Sequence, residues 1–417
     1  MYKIKSKITY IFITIVILSF ILPFTSSLAA DSIYVWSNGS DAVPVSVDTT
    51  GSPTAPTPTG NFLNLSAGGS VLMDQATGKI LYEKNPHEQF RPASVTKVMT
   101  LLLIMEAVDS GKLKLTDMIP CPPDARAMGG SQIWLAENEE LSVSDMLKAI
   151  CVVSANDCAV AMADYLSGSQ DAFVAEMNAK AKELGMNDTT FKNCHGIDED
   201  GHVTSAYDIA IMSRELMMKH PSISKYTTIW MDTLRDGKSS LVNTNKLVRN
   251  YTGCTGLKTG STSIALYNLS ATATRENLSL IAVIMRADTS DIRFFEAQKL
   301  LDYGFKTYEY TTFAKQGEIL KSLLVNKGTF LNVNAVYEND SGTLIPKGTA
   351  GNVITQIKLD DKISAPVSKG QKLGEVQYLI DNQIVASTNL VADATVKRLT
   401  LPNMMARIFE NWFWILR

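Results

Sequence analysis

The chain is poor in histidine. Only His87, His195, His202 and His220 occur in 417 residues, and neither an HExxH nor a CxxC pattern is present. A metal site has little to be built from, and neither a metal nor a cofactor is expected. Cysteine is sparse too. Cys121, Cys151, Cys158, Cys194 and Cys254 are too few for a disulfide-held scaffold, and their odd number leaves at least one without an internal partner. They read as small buried apolar residues. Cys151 and Cys158 lie seven apart, two turns of a helix, too far to bridge each other. No long basic block appears and the formal net charge is -3, which argues against nucleic acid as a partner.

What is present suffices for a sizeable core: 45% of the residues are apolar and 19% charged. A chain of 417 residues accommodates two domains. Its start reads as an export signal over 1–29. Lys3, Lys5 and Lys7 precede an apolar run from Ile11 to Leu22, and Ser27 and Ala29 are small residues spaced for cleavage. An uncleaved membrane anchor is the competing reading. Residues 30–65, with the stretch GSPTAPTPTG, read as a flexible linker that cannot bury enough apolar surface to order itself.

One short stretch organises the next segment: Arg91-Pro92-Ala93-Ser94-Val95-Thr96-Lys97. Val95, Val98, Met99, Leu102 and Met105 then recur at helical spacing, as on one side of a helix that Pro92 is suited to start and Gly111 to stop. Ser94 and Lys97 would be neighbours one turn apart. A serine hydroxyl attacks poorly until a base takes its proton, and a neutral amine at that distance can do so.

Around this pair the pattern predicts an α/β body over 66–305. Val71–Met73 and Ile80–Tyr82 form a hairpin. Helical runs follow at Met146–Val153, Asp157–Leu166, Ala172–Leu184 and Ser205–Met218, with Ser142 and Asp145 as a cap pair. Leu266–Ala273 and Leu278–Met285 read as adjacent strands, and Arg293–Tyr303 as a helix stopped by Gly304. The early hairpin and late strands can share one sheet, buried by the helices. A second composition, short extended runs broken by Gly and Pro, predicts a small all-β domain over 310–395. Its runs are Leu320–Val325, Val353–Leu359 and Leu379–Ile384. The tail 399–417 places Leu401, Met404, Met405, Ile408, Phe409, Trp412 and Ile415 on one helical side. It suits an amphipathic helix lying in a membrane interface; packing on the body or on a second copy is the alternative.

An S-x-x-K tetrad alone is weak. Here Ser154-Ala155-Asn156 and Lys258-Thr259-Gly260 follow in order. The set S-x-x-K, S-x-N and K-T-G resembles the signature of penicillin-binding proteins and serine β-lactamases. The chemistry accounts for each residue type. Ser94 would form an acyl-enzyme. Lys97 must be neutral to take its proton, and Lys258 as a neighbouring cation would favour that form. Ser154 can relay a proton to the leaving group. Asn156 can hold Lys97 and the substrate amide. Lys258 and Thr259 can receive a substrate carboxylate. Backbone N–H groups near Ser94 and Ser261 can form an oxyanion hole.

Together with RPASVTKVMT, GGSQIWL at 129–135, SANDCAVAMAD, FKNCHGID and GLKTGST, these motifs make the chain resemble the low-molecular-mass penicillin-binding proteins, specifically the exported serine-type D-Ala-D-Ala carboxypeptidases. The resemblance implies the penicillin-binding/β-lactamase-like fold and removal of the terminal D-alanine from peptidoglycan stem pentapeptides. It also implies covalent inhibition by β-lactams and attachment to the outer face of the cell membrane through the C-terminal helix. It places Thr259, Gly260, Ser261, Thr262, Ser131, His195 and Arg293 around the substrate. Two departures bear on substrate range. Thr255 stands where the family commonly has Asp, and Leu266 where it commonly has glycine. A D,D-endopeptidase would acylate on the same D-alanyl carbonyl. A β-lactamase lacks support, since no E-x-x-L-N segment occurs between Asn156 and Lys258. A non-catalytic wall-binding or sporulation scaffold would need no nucleophile.

Overall fold

The computed structural model describes residues 33–36, 61–360 and 362–405. The export-signal reading, most of the linker and the tail beyond Met405 lie outside them. Among the described residues no helix is long and apolar enough to cross a membrane.

The larger unit is built on a five-stranded antiparallel sheet. Its order is Ile80–Lys84, Gly69–Asp74, Leu278–Ala287, Leu266–Arg275, Cys254–Thr262. The early hairpin and the late strands thus share one sheet. Alternation along the strands feeds two cores. Leu280, Ala282 and Ile284 pack into one cluster with Leu72, and Ile281, Val283 and Met285 into the other with Val71 and Met73. That is the period-2 division expected of strands covered on both faces. One face carries the helix Ser290–Thr307; the other carries the helical cluster that holds Ser94.

The cap expected at Ser142 is present, and Ser205 caps its helix as well. Ser142 accepts from Asp145 N and Ser205 from Asp208 N, each satisfying an orphan N–H of the helix it starts. The last helix differs from expectation. Gly304 does not stop it; the helix runs on to Thr307. A Cβ at Gly304 would come within 2.5 Å of Leu280 Cδ1 and 3.1 Å of Leu72 Cδ2. The glycine lets the helix lie close on the sheet.

The second unit is a seven-stranded sheet over its own core, which includes Val333, Ala335, Val376 and Leu390. Leu379–Ile384 is not one strand. Lys372–Ile380 and Gln383–Ala392 form a hairpin whose turn, Asp381 and Asn382, has φ of 50° and 61°. Two left-handed residues suit the tight turn between antiparallel strands. The linker is also not wholly structureless: Ile33–Trp36 pairs antiparallel with Ile354–Leu359 at the sheet edge. Residues 401–405 are helical, with Leu401 and Met405 exposed.

Candidate active site

Ser94 sits in a one-turn 3-10 segment, Ala93–Thr96, and Lys97 opens the α-helix Lys97–Asp109. The tighter turn still leaves the two side chains in reach: Lys97 Nζ lies 3.1 Å from Ser94 Oγ. The helix was expected to bury one side. It is buried almost all round, including Leu101 and Ile104, because it runs through the middle of the helical cluster. Lys97 is buried with it, fully shielded from solvent.

The surroundings of Lys97 define its state. Nζ is 2.6 Å from Asn156 Oδ1 and 2.6 Å from the carbonyl oxygen of His195. A neutral amine has two N–H bonds and one lone pair. The two oxygens take the two N–H bonds, and the lone pair is left for the Ser94 hydroxyl. Burial pulls the Lys97 pKa down from its usual value to about 7, against the opposing pull of the nearby Cys194 and Asp157. Desolvation, and not the Lys258 charge expected from sequence, is the leading cause of this shift. Lys258, itself buried, is also held well below an ordinary lysine, first by desolvation and then by Lys97.

Ser154 joins the helices Val143–Val152 and Asn156–Ser167, with a left-handed φ of 65°. Its buried Oγ has no hydrogen-bond partner among the described residues. Asn156 holds Lys97, while its amide nitrogen donates to Gly129 O at 2.7 Å; only its second N–H remains for the substrate role proposed from sequence.

Lys258, Thr259 and Gly260 lie within the edge strand Cys254–Thr262. A Cβ at Gly260 would fall 2.8 Å from Val95 N and 2.9 Å from Ser94 N. Glycine therefore allows the strand backbone to touch the nucleophile turn. Lys258 Nζ donates to Thr259 O at 2.8 Å. Thr262 Oγ1 accepts from Ala265 N at 2.9 Å, which holds the turn after the strand, and Ser261 is exposed. Ser131 is exposed beside the cleft and its carbonyl accepts from Asn156 N at 2.7 Å.

His195 contributes its carbonyl to Lys97. Its ring is buried, with a pKa lowered to about 3 by desolvation first and Lys97 second, so it is neutral at ordinary pH. Arg293 is buried. Its Nη1 donates to Gly260 O at 3.2 Å and Asn268 O at 3.3 Å, behind the Lys258 strand, and desolvation lowers its pKa to about 10.

Sequence reasoning missed three supports. Asp157 is a buried carboxylate that accepts from Ile133 N and Leu135 N, both at 3.1 Å, and so ties the 129–135 loop to the site. In sequence it resembles an ordinary acid in a first helical turn. Thr244 Oγ1 lies 2.7 Å from Thr259 Oγ1. Asn268 Nδ2 donates to Arg91 O at 2.9 Å and Pro92 O at 3.0 Å, bracing the nucleophile turn. The last two meet the site only through tertiary contacts and carry no local signal. All five cysteines are free, and no cluster of potential metal ligands exists among the described residues.

Residues 53–289 match the peptidase S11 family model, described as D-alanyl-D-alanine carboxypeptidase, and residues 308–398 match the penicillin-binding protein 5 C-terminal domain. The D-alanyl-D-alanine carboxypeptidase DacF of Bacillus subtilis is 43% identical over 350 residues, spanning 83% of this chain and 90% of its own. The crystal structure of penicillin-binding protein 5 from Haemophilus influenzae is 34% identical, with a TM-score of 0.69, over 80% of this chain and 98% of its own. Penicillin-binding protein D2 of Listeria monocytogenes, solved in an ampicillin-bound form, is 33% identical, with a TM-score of 0.54, over 58% of this chain and 99% of its own. With the S-x-x-K, S-x-N and K-T-G segments brought together in the larger unit, these matches along both units place the chain in the D-alanyl-D-alanine carboxypeptidase family of serine peptidases.

Proposed function

We propose that the chain removes the terminal D-alanine from peptidoglycan stem pentapeptides through an acyl-enzyme on Ser94. The observation that carries this is the trio of contacts on Lys97, with two carbonyl-type acceptors and the serine hydroxyl as third neighbour. The Ser94 O–H proton passes to Lys97 Nζ as Oγ bonds to the penultimate D-alanyl carbonyl carbon. The resulting oxyanion faces the Ser94 and Ser261 N–H groups. As the scissile C–N bond breaks, the proton held on Lys97 goes to the departing amine, with Ser154, whose hydroxyl is otherwise unpartnered, as the relay. Water then hydrolyses the ester and restores Ser94.

Lys258 and Thr259 receive the terminal carboxylate. An arriving anion favours the charged form of Lys258, whose pKa burial and Lys97 hold down. Arg293 supports the same strand from behind. A β-lactam would acylate Ser94 by the same route and act as a covalent inhibitor.

The assay is incubation with pentapeptide and with crosslinked dimer, measuring released D-alanine and peptides. Carboxypeptidase action releases D-alanine from the pentapeptide; cleavage of the dimer alone would establish the endopeptidase instead. Because the base must be neutral, the acylation rate should rise with pH through about 7 and fall below it, tracking Lys97. A rate flat across that range would remove Lys97 as the base.

The protein is proposed to work outside the cytoplasm, with its second unit between the catalytic body and the membrane and the tail lying on the outer leaflet. The tail pattern supports this. So does the loop beside the tail's start: Thr329 N donates to Lys397 O at 2.8 Å, and neighbouring Phe330 and Leu331 are exposed. Deletion of 400–417 from the mature protein should abolish sedimentation with anionic vesicles; unchanged binding would reject the anchor.

A further inference from the structure

The second unit carries an apolar tip on a firm support. Ile319–Asn326 and Asn332–Tyr337 form an antiparallel hairpin, and residues 327–331 join them. Phe330 is 64% exposed and Leu331 67%; Leu324, which pairs with Asn332 at the base of the tip, is 62% exposed. None of the three adds to the core beneath, which takes Leu323, Val325 and Val333. The backbone of the tip is nevertheless bonded on both sides. Thr329 N donates to Lys397 O at 2.8 Å, Leu399 N to Lys327 O at 2.7 Å and Val325 N to Leu331 O at 2.8 Å. A Cβ at Gly328 would fall 2.7 Å from Val396 Cγ1, so glycine lets the tip fold onto the outgoing chain.

Charge and chain continuity indicate what the tip meets. Residues 319–337 and 394–409 contain no Asp or Glu. Lys327 lies in the tip, Lys397 and Arg398 pair with it through their backbones, and all three are exposed. Asp393, the acid just before the second segment, is taken up by Asn334, whose N is at 3.0 Å and Nδ2 at 2.8 Å. An apolar tip inside a cationic collar complements an anionic lipid surface: the ring and the leucine enter the boundary below the headgroups, and the cations stay with the phosphates. Backbone groups that approach hydrocarbon have to be bonded within the protein, as those named above are. Leu399, bonded to the tip, leads directly into the tail 400–417 with its apolar side and Trp412 and Trp414. A surface that receives the tail is thereby brought to the tip.

We infer that the 327–331 tip is a second membrane contact, which inserts Phe330 and Leu331 into an anionic leaflet beside the tail. The inference rests on the reading that the tail lies on the outer leaflet, and it goes beyond that reading. Contact along one helix leaves the body free to rock about it; a second contact on the bonded hairpin fixes how the second unit stands. Two side chains bury too little apolar surface to hold the protein by themselves, so the tip adds to the tail and does not replace it.

The test uses the mature full-length chain and vesicles of phosphatidylglycerol and phosphatidylcholine. Phe330→Ser combined with Leu331→Ser should weaken partitioning about tenfold. The thermal midpoint and the rate of labelled penicillin attachment should stay as in wild type, because both side chains are exposed and belong to the second unit. A direct readout is Phe330→Trp in a background where Trp412→Phe and Trp414→Phe remove the indoles of the tail. The emission added by Phe330→Trp should be quenched by lipids brominated along the acyl chain. Unquenched emission from vesicle-bound protein overturns the tip contact and leaves the tail reading standing. So does wild-type partitioning by the doubly substituted variant. If that variant instead turns a dimer in solution into a monomer, with vesicle binding unchanged, the occupant is a second copy and the lipid contact is overturned. If the wild-type chain does not sediment with the vesicles at all, the tail reading fails and the tip contact fails with it.

Discussion

Ser94→Ala should lower D-alanine release by about 10³-fold or more and abolish covalent attachment of labelled penicillin. The physical reason is that no second hydroxyl can replace it. Ser154 Oγ is buried without a partner among the described residues, yet Lys97 makes no hydrogen bond to it; the amine's contacts are Ser94, Asn156 and His195. Ser154 therefore lacks the base that would activate it as a substitute nucleophile. The change removes one oxygen from a partly buried side chain and no other contact of Lys97, so the thermal midpoint should shift by only a few degrees. Mass spectrometry after penicillin exposure checks the attachment. An adduct on the variant, or D-alanine release at the wild-type rate, would put the nucleophile elsewhere.

Lys97→Arg should cost about 10²- to 10⁴-fold in acylation, although it keeps a long basic side chain. A guanidinium stays protonated throughout the usable pH range and has no acceptor, so it cannot take the Ser94 proton. Raising the pH should not rescue it, whereas wild type gains activity through about 7. Arginine also brings an obligate cation into a fully buried place, so the variant should be less stable as well. Lys97→Met separates the two effects. It removes the base without burying a charge, and it should be as inactive as the arginine variant while melting closer to wild type. Penicillin acylation measured against the thermal midpoint for both variants provides the comparison. Substantial acylation by either one would mean that the proton goes to another group.

The two predictions rest on features with different origins. That Ser94 and Lys97 meet is legible locally, because three positions on a helical turn bring two side chains together whether the turn is 3-10 or α. The companion segments are legible as motifs in order along the chain, and the two strands after Gly260 follow from period-2 alternation. The helix cap at Ser142 is local too. Gly304 shows where local reasoning stops. Glycine after an apolar run suggests a helix end, but the nearness of Leu280 and Leu72 turns it into a packing device inside the helix. The one-sided helix reading failed for a related reason: apolar spacing identifies a buried face but cannot count how many neighbours surround the helix.

Residue type and spacing along the chain already single out the groups with the right chemistry: a serine with a lysine one turn away, a serine and asparagine between helical runs, and a lysine beside a threonine and glycine. Their condition comes from packing. Burial sets the protonation of Lys97, the carbonyl of His195 and the amide of Asn156 orient its lone pair, and the close approach at Gly260 brings a strand from far along the chain against the nucleophile turn. Proton affinity depends on the dielectric and the partners around a group, and those come from parts of the chain that sequence spacing does not relate.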